Sequence, residues 1–231
     1  MTPVFDPKRR RLLLTAGTVS VLGLFEIPFV RQAAAADKYV DSIAALKKGL
    51  AAEITAHRRY VKFGRHAKQE GYKGLAYLYT ALANSELIHG QNYTRVLATL
   101  GELVDEPEVV PTPLGTAKEN LIYAADRELN SIEKIYPGIL PVVEAEGHAD
   151  IIAVVQYSWA SHKQHLDIIE KIRKWSPSFF ETVARKIDEK TDRYFVCQIC
   201  GSTVTEIPKD ICPVCMEPHT KYRLIPHDRF F

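Results

Sequence analysis

The chain has 231 residues, 46% of them apolar and 25% charged, enough to bury a sizeable core in one domain or two. Its formal net charge is +2, but residues 1–36 hold five Lys or Arg against two Asp or Glu, leaving 25 basic and 26 acidic residues in the remainder. That near-neutral body has no basic patch, which argues against a nucleic-acid partner.

The first 36 residues do not read as part of a core. "PKRRRLLLTAGTVSVLGLFEIPFVRQAAAADKY" combines a basic start, an apolar middle and a small-residue run ending at Ala36, the pattern of an export signal. Arg9-Arg10, followed by Arg11-Leu12-Leu13, fits the twin-arginine address, so a periplasmic protein cleaved after Ala36 is expected. A membrane anchor left uncleaved is the alternative. Glu26 and Pro28 argue against it, because they interrupt an apolar run already short of the ~20 residues a span requires.

Four long amphipathic segments follow, at about 38–69, 73–100, 117–146 and 149–175. Only "EGY" separates the first two and "EGH" the last two, joints short enough to force antiparallel helix hairpins. The Pro-rich, acidic stretch "GELVDEPEVVPTPLG" between the hairpins is long enough to cross a bundle from end to end. An all-α four-helix bundle with one crossover is expected over residues 37–175. "SPSFFETVARKI" then predicts a short linker helix within 176–191, with Ser176 as cap and Pro177 in its first turn. From 192 to 231 the texture changes: all four cysteines fall here, beside the β-prone runs "RYFV" and "STVTEI", marking a second, small domain.

The bundle's apolar stripes carry chemistry. Leu46, Leu50, Glu53, His57 and Tyr60 align on the first helix; Leu78, Leu82, Glu86, His89, Tyr93 and Val96 on the second; Leu121, Ala125, Glu128, Ile132 and Ile135 on the third; Val155, Ser158, His162, His165, Ile169 and Ile172 on the fourth. A buried ionised carboxylate costs several kcal/mol unless a partner compensates it. Three stripes bury a Glu with no matching Lys or Arg, which points to bound cations. One Glu from each of two helices plus Glu-x-x-His from the other two is the carboxylate di-metal arrangement. Glu53 to Glu86 spans 33 residues and Glu128 to His162 spans 34, so the hairpins repeat one geometry and His162 stands where the second Glu-x-x-His would place its Glu. The predicted bundle ligands are Glu53, Glu86, His89, Glu128, His162 and His165, with Glu53, Glu86 and Glu128 the catalytic carboxylates. His57 reads as an interior or rim histidine, and a structural hydrogen-bonding cluster is the alternative for the His162–His165 pair.

Cys197, Cys200, Cys212 and Cys215 form a C-x₂-C-x₁₁-C-x₂-C pattern, two knuckles that bring four thiolates around one tetrahedral ion. Two disulfides are the alternative in an exported chain, but pairing cysteines only two residues apart makes strained loops. Spacing alone does not separate iron from zinc, which both accept four sulfurs.

Taken together, Glu53, "SELIH", "ENLIYAADRELNSIEKIYP", His165 and "YFVCQICG…ICPVC" resemble the rubrerythrin family, ferritin-like di-iron bundles with a C-terminal rubredoxin-like domain. The resemblance implies iron at both sites, reduction of hydrogen peroxide to water at the di-iron centre, and electrons relayed through an Fe(Cys)4 centre from an unidentified donor protein. It also implies a homodimer with one chain's cysteine domain near its partner's bundle. Two positions depart from the family: His162 replaces a bridging Glu, and Ser131 replaces an extra Glu one turn after the third-helix ligand. An iron-binding or ferroxidase-type protein, and an electron-transfer or sensor module built on the cysteine site, are the competing functions.

Overall fold

The computed structural model describes residues 38–173, 193–227 and 229–230. The leader of residues 1–36 and the expected linker helix at 176–191 lie outside the described residues. Helices α1 (Val40–Gln69) and α2 (Lys73–Thr99) form the first hairpin. The third arm is α3 (Ala117–Asn130), a π-helical segment (Ser131–Ile135) and α4 (Tyr136–Glu146) in one rod, because the residues at both junctions keep right-handed helical dihedrals. Gly147, at φ 72°, ends the rod in a left-handed cap that a side chain would strain, and α5 (Ala149–Arg173) returns antiparallel.

The crossover at 101–116 ends in a capping box. Glu119 N–H donates to Thr116 Oγ1 at 3.3 Å while Thr116 N–H donates to Glu119 Oε2 at 2.8 Å, satisfying two donors that a helix start leaves orphaned. This fixes where α3 begins, and with it the depth at which Glu128 enters the bundle.

The π segment corrects the expected third stripe. Its wider turn rotates everything after Glu128 out of α-helical register. Ile132 is therefore half-buried and Ile135 37% exposed, while Tyr136, Leu140 and Val143 take the core positions.

Apolar packing falls into two clusters along the bundle, with the acidic and histidine side chains between them. One contains Tyr60, Phe63, Leu78 and Leu82; the other contains Leu46, Leu50, Tyr93, Leu140 and Val155. Among the described residues, no helix is long and apolar enough to cross a membrane.

The C-terminal module is a three-stranded antiparallel sheet of order β2-β1-β3, with β1 Phe195–Cys197 in the centre, β2 Thr203–Val204 and β3 Tyr222–Leu224. It packs on the bundle of its own chain. Tyr194, Val196 and Ile225 enter the first apolar cluster, and the Tyr77 hydroxyl of α2 donates to Ile225 O at 2.9 Å while accepting from Tyr194 N–H at 3.1 Å.

Candidate metal centres

Glu53 comes from α1, Glu86 and His89 from α2, Glu128 from α3, and His162 and His165 from α5. None is more than 5% exposed. Their donor atoms form two overlapping sets: Glu53, Glu86, His89 and His162 in one, and Glu86, Glu128, His162 and His165 in the other.

In the first set, His89 Nδ1 lies 2.9 Å from Glu86 Oε2 and 3.4 Å from Glu53 Oε2, and His162 Nε2 lies 3.4 Å from Glu53 Oε2. In the second, His162 Nδ1 lies 2.5 Å from Glu128 Oε2, and His165 Nδ1 lies 3.3 Å from Glu86 Oε1. Glu86 and His162 thus each turn one donor atom toward each set. Glu53 Oε2, Glu86 Oε1 and His165 Nδ1 stand at ion-pair distance from opposite charges but have no well-aligned hydrogen-bond partner among the described residues. Buried donors without such partners are costly, and three of them converging with ionised carboxylates fit a pair of cations.

Electrostatics point the same way. Burial pushes Glu53 and Glu128 up, but the facing histidines outweigh it and hold both well below the usual carboxylate range, chiefly through His162. Burial lowers His89, but the charge of Glu53 and hydrogen bonds to Glu53 and Glu86 raise it to about 9. His162 and His165 are likewise raised by the glutamates against the pull of burial.

Two tyrosines escaped the sequence reading as site residues. The Tyr136 hydroxyl donates to Glu53 Oε1 at 2.6 Å, and the Tyr60 hydroxyl donates to Glu128 Oε1. Each occupies the carboxylate oxygen turned away from the histidines, orienting the other. Burial and the neighbouring carboxylate push both phenols far above their ordinary range, so they stay protonated. Tyr60 lay on the predicted stripe; Tyr136 was hidden by the π segment. His57 Nδ1–H donates to Ala83 O at 2.7 Å, and the residue belongs to neither ligand set. Ser131 Oγ donates back to Arg127 O at 3.0 Å. A cavity of about 320 Å³ between α1, the third arm and the crossover opens onto Glu53, Glu128, Tyr136 and His162.

In the C-terminal module the four cysteines are free thiols, so the disulfide alternative is not what the fold builds. Sγ–Sγ separations are 3.8 Å for Cys197–Cys215 and 3.6 Å for Cys200–Cys212. A tetrahedron with metal–sulfur bonds of ~2.3 Å has edges of about 3.8 Å, so the thiols already stand at ligand spacing. The knuckles are built alike: Gly201 N–H donates to Cys197 O and Met216 N–H to Cys212 O, both at 2.9 Å, with positive φ at Gly201 and Met216. Hydrogen bonds from the neighbouring thiols of Cys197 and Cys200 hold Cys212 below the ordinary thiol range.

The two centres meet at the first knuckle. Ser85 Oγ donates to Gly201 O at 2.6 Å and lies 3.0 Å from His165 Nε2; Ser161 Oγ donates to Cys200 O at 3.2 Å. Asn92 Nδ2 donates to Ile199 O at 2.7 Å. A Cβ on Gly201 would collide with His89 Nε2, so only glycine lets the knuckle approach this closely.

A carboxylate-and-histidine paired-metal helical bundle carrying a four-cysteine, rubredoxin-like module is the class of protein that this fold and these sites define. The rubrerythrin family model matches residues 44–173, over half of the chain, and the chain belongs to that family of non-haem di-iron redox proteins. It is 26% identical over 201 residues to nigerythrin of Nitratidesulfovibrio vulgaris, covering 84% of this chain and 94% of nigerythrin. It is 28% identical over 189 residues to rubrerythrin-1 of Clostridium acetobutylicum, covering 78% and 92%. The solved structure of nigerythrin in a mixed-valence state superposes with a TM-score of 0.65 at 25% identity, covering 79% of this chain and 86% of that one. A Desulfovibrio desulfuricans bacterioferritin, at TM-score 0.61 and 23% identity over 66% of this chain and 90% of its own, shares the bundle fold.

Proposed function

We propose that this chain reduces hydrogen peroxide to water at a di-iron site held by Glu53, Glu86, His89, Glu128, His162 and His165, with electrons entering through iron at the four cysteines. The observation that carries the reading is the shared hydrogen-bonded contact of the centres, in which Ser85 touches both the Gly201 carbonyl and the ring of His165. Bound iron supplies the electrons: splitting the O–O bond takes up two electrons and two protons and yields two waters.

The chain's own residues do the rest. Glu86, with one oxygen toward each ligand set, would hold both ions, while neutral His162, with a single free lone pair, would ligate one of them. Tyr60 and Tyr136 fix the outer carboxylates and keep their protons. The cavity beside Glu53 and Glu128 gives peroxide a path that bypasses the cysteine module. Export through the Arg9-Arg10 leader belongs to the same proposal, since that route carries folded, metal-loaded proteins; a mature mass beginning at Asp37 is its measurement.

The test is anaerobic. The cysteine centre is reduced with dithionite, a limiting amount of hydrogen peroxide is added, and the return of the oxidised thiolate-to-iron absorption is followed. Rapid return is expected in the wild type and slow return in Glu86→Ala. Equal rates would mean that the cysteine centre meets peroxide directly and the bundle is not the site. An iron-storing bundle would instead take up Fe(II) without consuming peroxide in step with cysteine-centre oxidation.

A further inference from the structure

The cavity beside the metal ligands is larger and more charged than a peroxide channel requires. Its volume of about 320 Å³ lies in the range of small-molecule sites, ~300–1,000 Å³, whereas one water occupies ~30 Å³. Among the described residues, the only carboxylates lining it are Glu53 and Glu128, and both face His162. Lys48, Arg59 and Arg127 also line it.

The two guanidiniums lack acidic partners among the described residues. Arg59 Cζ lies 5.7 Å and Arg127 Cζ 5.6 Å from the centroid of the same ring, Tyr123. Arg59 Nε is buried without a hydrogen-bond partner. Each guanidinium gains from the ring beside it, but a buried guanidinium nitrogen with no acceptor costs free energy. That penalty is relieved by an anion. Ala52, Ala56, Ile135 and Ile139 add apolar surface to the lining.

We propose that this cavity binds an organic monocarboxylate, its acid group on Arg59 and Arg127 and its hydrocarbon part running along the alanine and isoleucine surface toward Tyr136. Guanidinium is the side chain that suits a carboxylate best, because its planar fork presents two parallel N–H donors. The site stands whether or not the peroxide reading does, since it requires only the cavity and its cations.

The probe is octanoate, titrated calorimetrically into the full-length, iron-loaded protein, with octan-1-ol as the neutral counterpart. One octanoate per chain is expected, with octanol at least about tenfold weaker, the size of a charge-assisted hydrogen bond. Arg59→Gln and Arg127→Gln should each weaken octanoate about tenfold, with iron content and cysteine-centre absorption unchanged. Ala52→Trp should fill the cavity and abolish binding. Arg127 is exposed, so its variant decides the charge question even if Arg59→Gln folds poorly. Absence of octanoate binding, equal affinity for octanol, equal affinity in Arg127→Gln, or binding retained in Ala52→Trp would each overturn the proposal. Peroxide turnover is measured separately, and its loss leaves this binding result unaffected.

Discussion

Ser85 and Gly201 join the two metal centres through one short hydrogen bond, 2.6 Å from hydroxyl to carbonyl. The bond exists because Gly201 has no side chain to hold the knuckle away from α2, and because its φ of 80° turns that carbonyl into the bundle.

Gly201→Ala tests the contact. Alanine at that φ costs about 1–2 kcal/mol, before any clash with His89. The module should loosen from the bundle, with faster hydrogen exchange at Cys197–Cys200 and slower re-oxidation of the cysteine centre by peroxide. The iron content of both sites should be retained. Unchanged exchange would show that the approach to His89 has slack.

The number of ions in the bundle should depend on His162, whose ring faces both ligand sets. His162→Ala should empty the bundle while leaving the cysteine site filled, read as iron per chain in the full-length protein. His162→Glu adds a carboxylate where three are already buried. It should destabilise the metal-free protein and tighten the second ferric ion. Identical iron counts and affinities in wild type and both variants would remove His162 from the ligand list.

Two buried tyrosines should respond oppositely to loss of their hydroxyls. Tyr136→Phe takes the donor from Glu53 Oε1 and should lower bundle metal affinity about 10–100-fold, as loss of a ligand-orienting partner does. Tyr79 is fully buried, and its hydroxyl has no partner among the described residues. Tyr79→Phe should therefore be neutral or stabilising in urea unfolding. Metal titration of both variants, with unfolding curves, checks the pair.

Some of this was legible in residue order and some was not, for identifiable reasons. Glu53, Glu86 and Glu128 stood out because an acid at core spacing, with no basic residue on its stripe, is an energetic anomaly visible in one dimension. The four cysteines were legible because tetrahedral chelation by paired knuckles is local. The π segment was not: Ile132 and Ile135 continue an α-helical apolar pattern, and only the packed bundle turns them outward in favour of Tyr136. The contacts of Ser85 with Gly201 and of Tyr60 with Glu128 join residues 116 and 68 positions apart, beyond any local pattern. The packing of Tyr194, Val196 and Ile225 of the cysteine module into the bundle's apolar cluster is tertiary information of the same kind.

The pH response of the metal-free protein follows from the histidines. The Glu53 charge and hydrogen bonds, against the opposing effect of burial, raise His89 to about 9 in the folded state, compared with ~6.5 in an unfolded chain. A folded-state pKa above the unfolded value contributes stability that is fully present below pH ~6.5 and is lost as pH rises through about 9. For His89 alone this is on the order of 3 kcal/mol, and His162 and His165 act in the same direction. Glu53 and Glu128 work at the other end: their folded values are depressed, so their contribution is present above the ordinary carboxylate range and disappears only in strong acid. Metal-free protein should thus be most stable in urea near pH 5–6 and weaken steadily toward pH 9. Metal binding runs the other way, because each histidine must shed its proton to coordinate. Isolated histidines would complete that exchange near pH ~6.5; surrounded by three carboxylates, these continue to compete well above neutrality. Bundle affinity for ferrous iron should keep rising between pH 7 and 9, while the cysteine centre follows its own thiol chemistry. An affinity flat above pH 7, with urea stability equally flat, would mean that the histidines are neutral in the metal-free fold and that the carboxylates are compensated by something other than these rings.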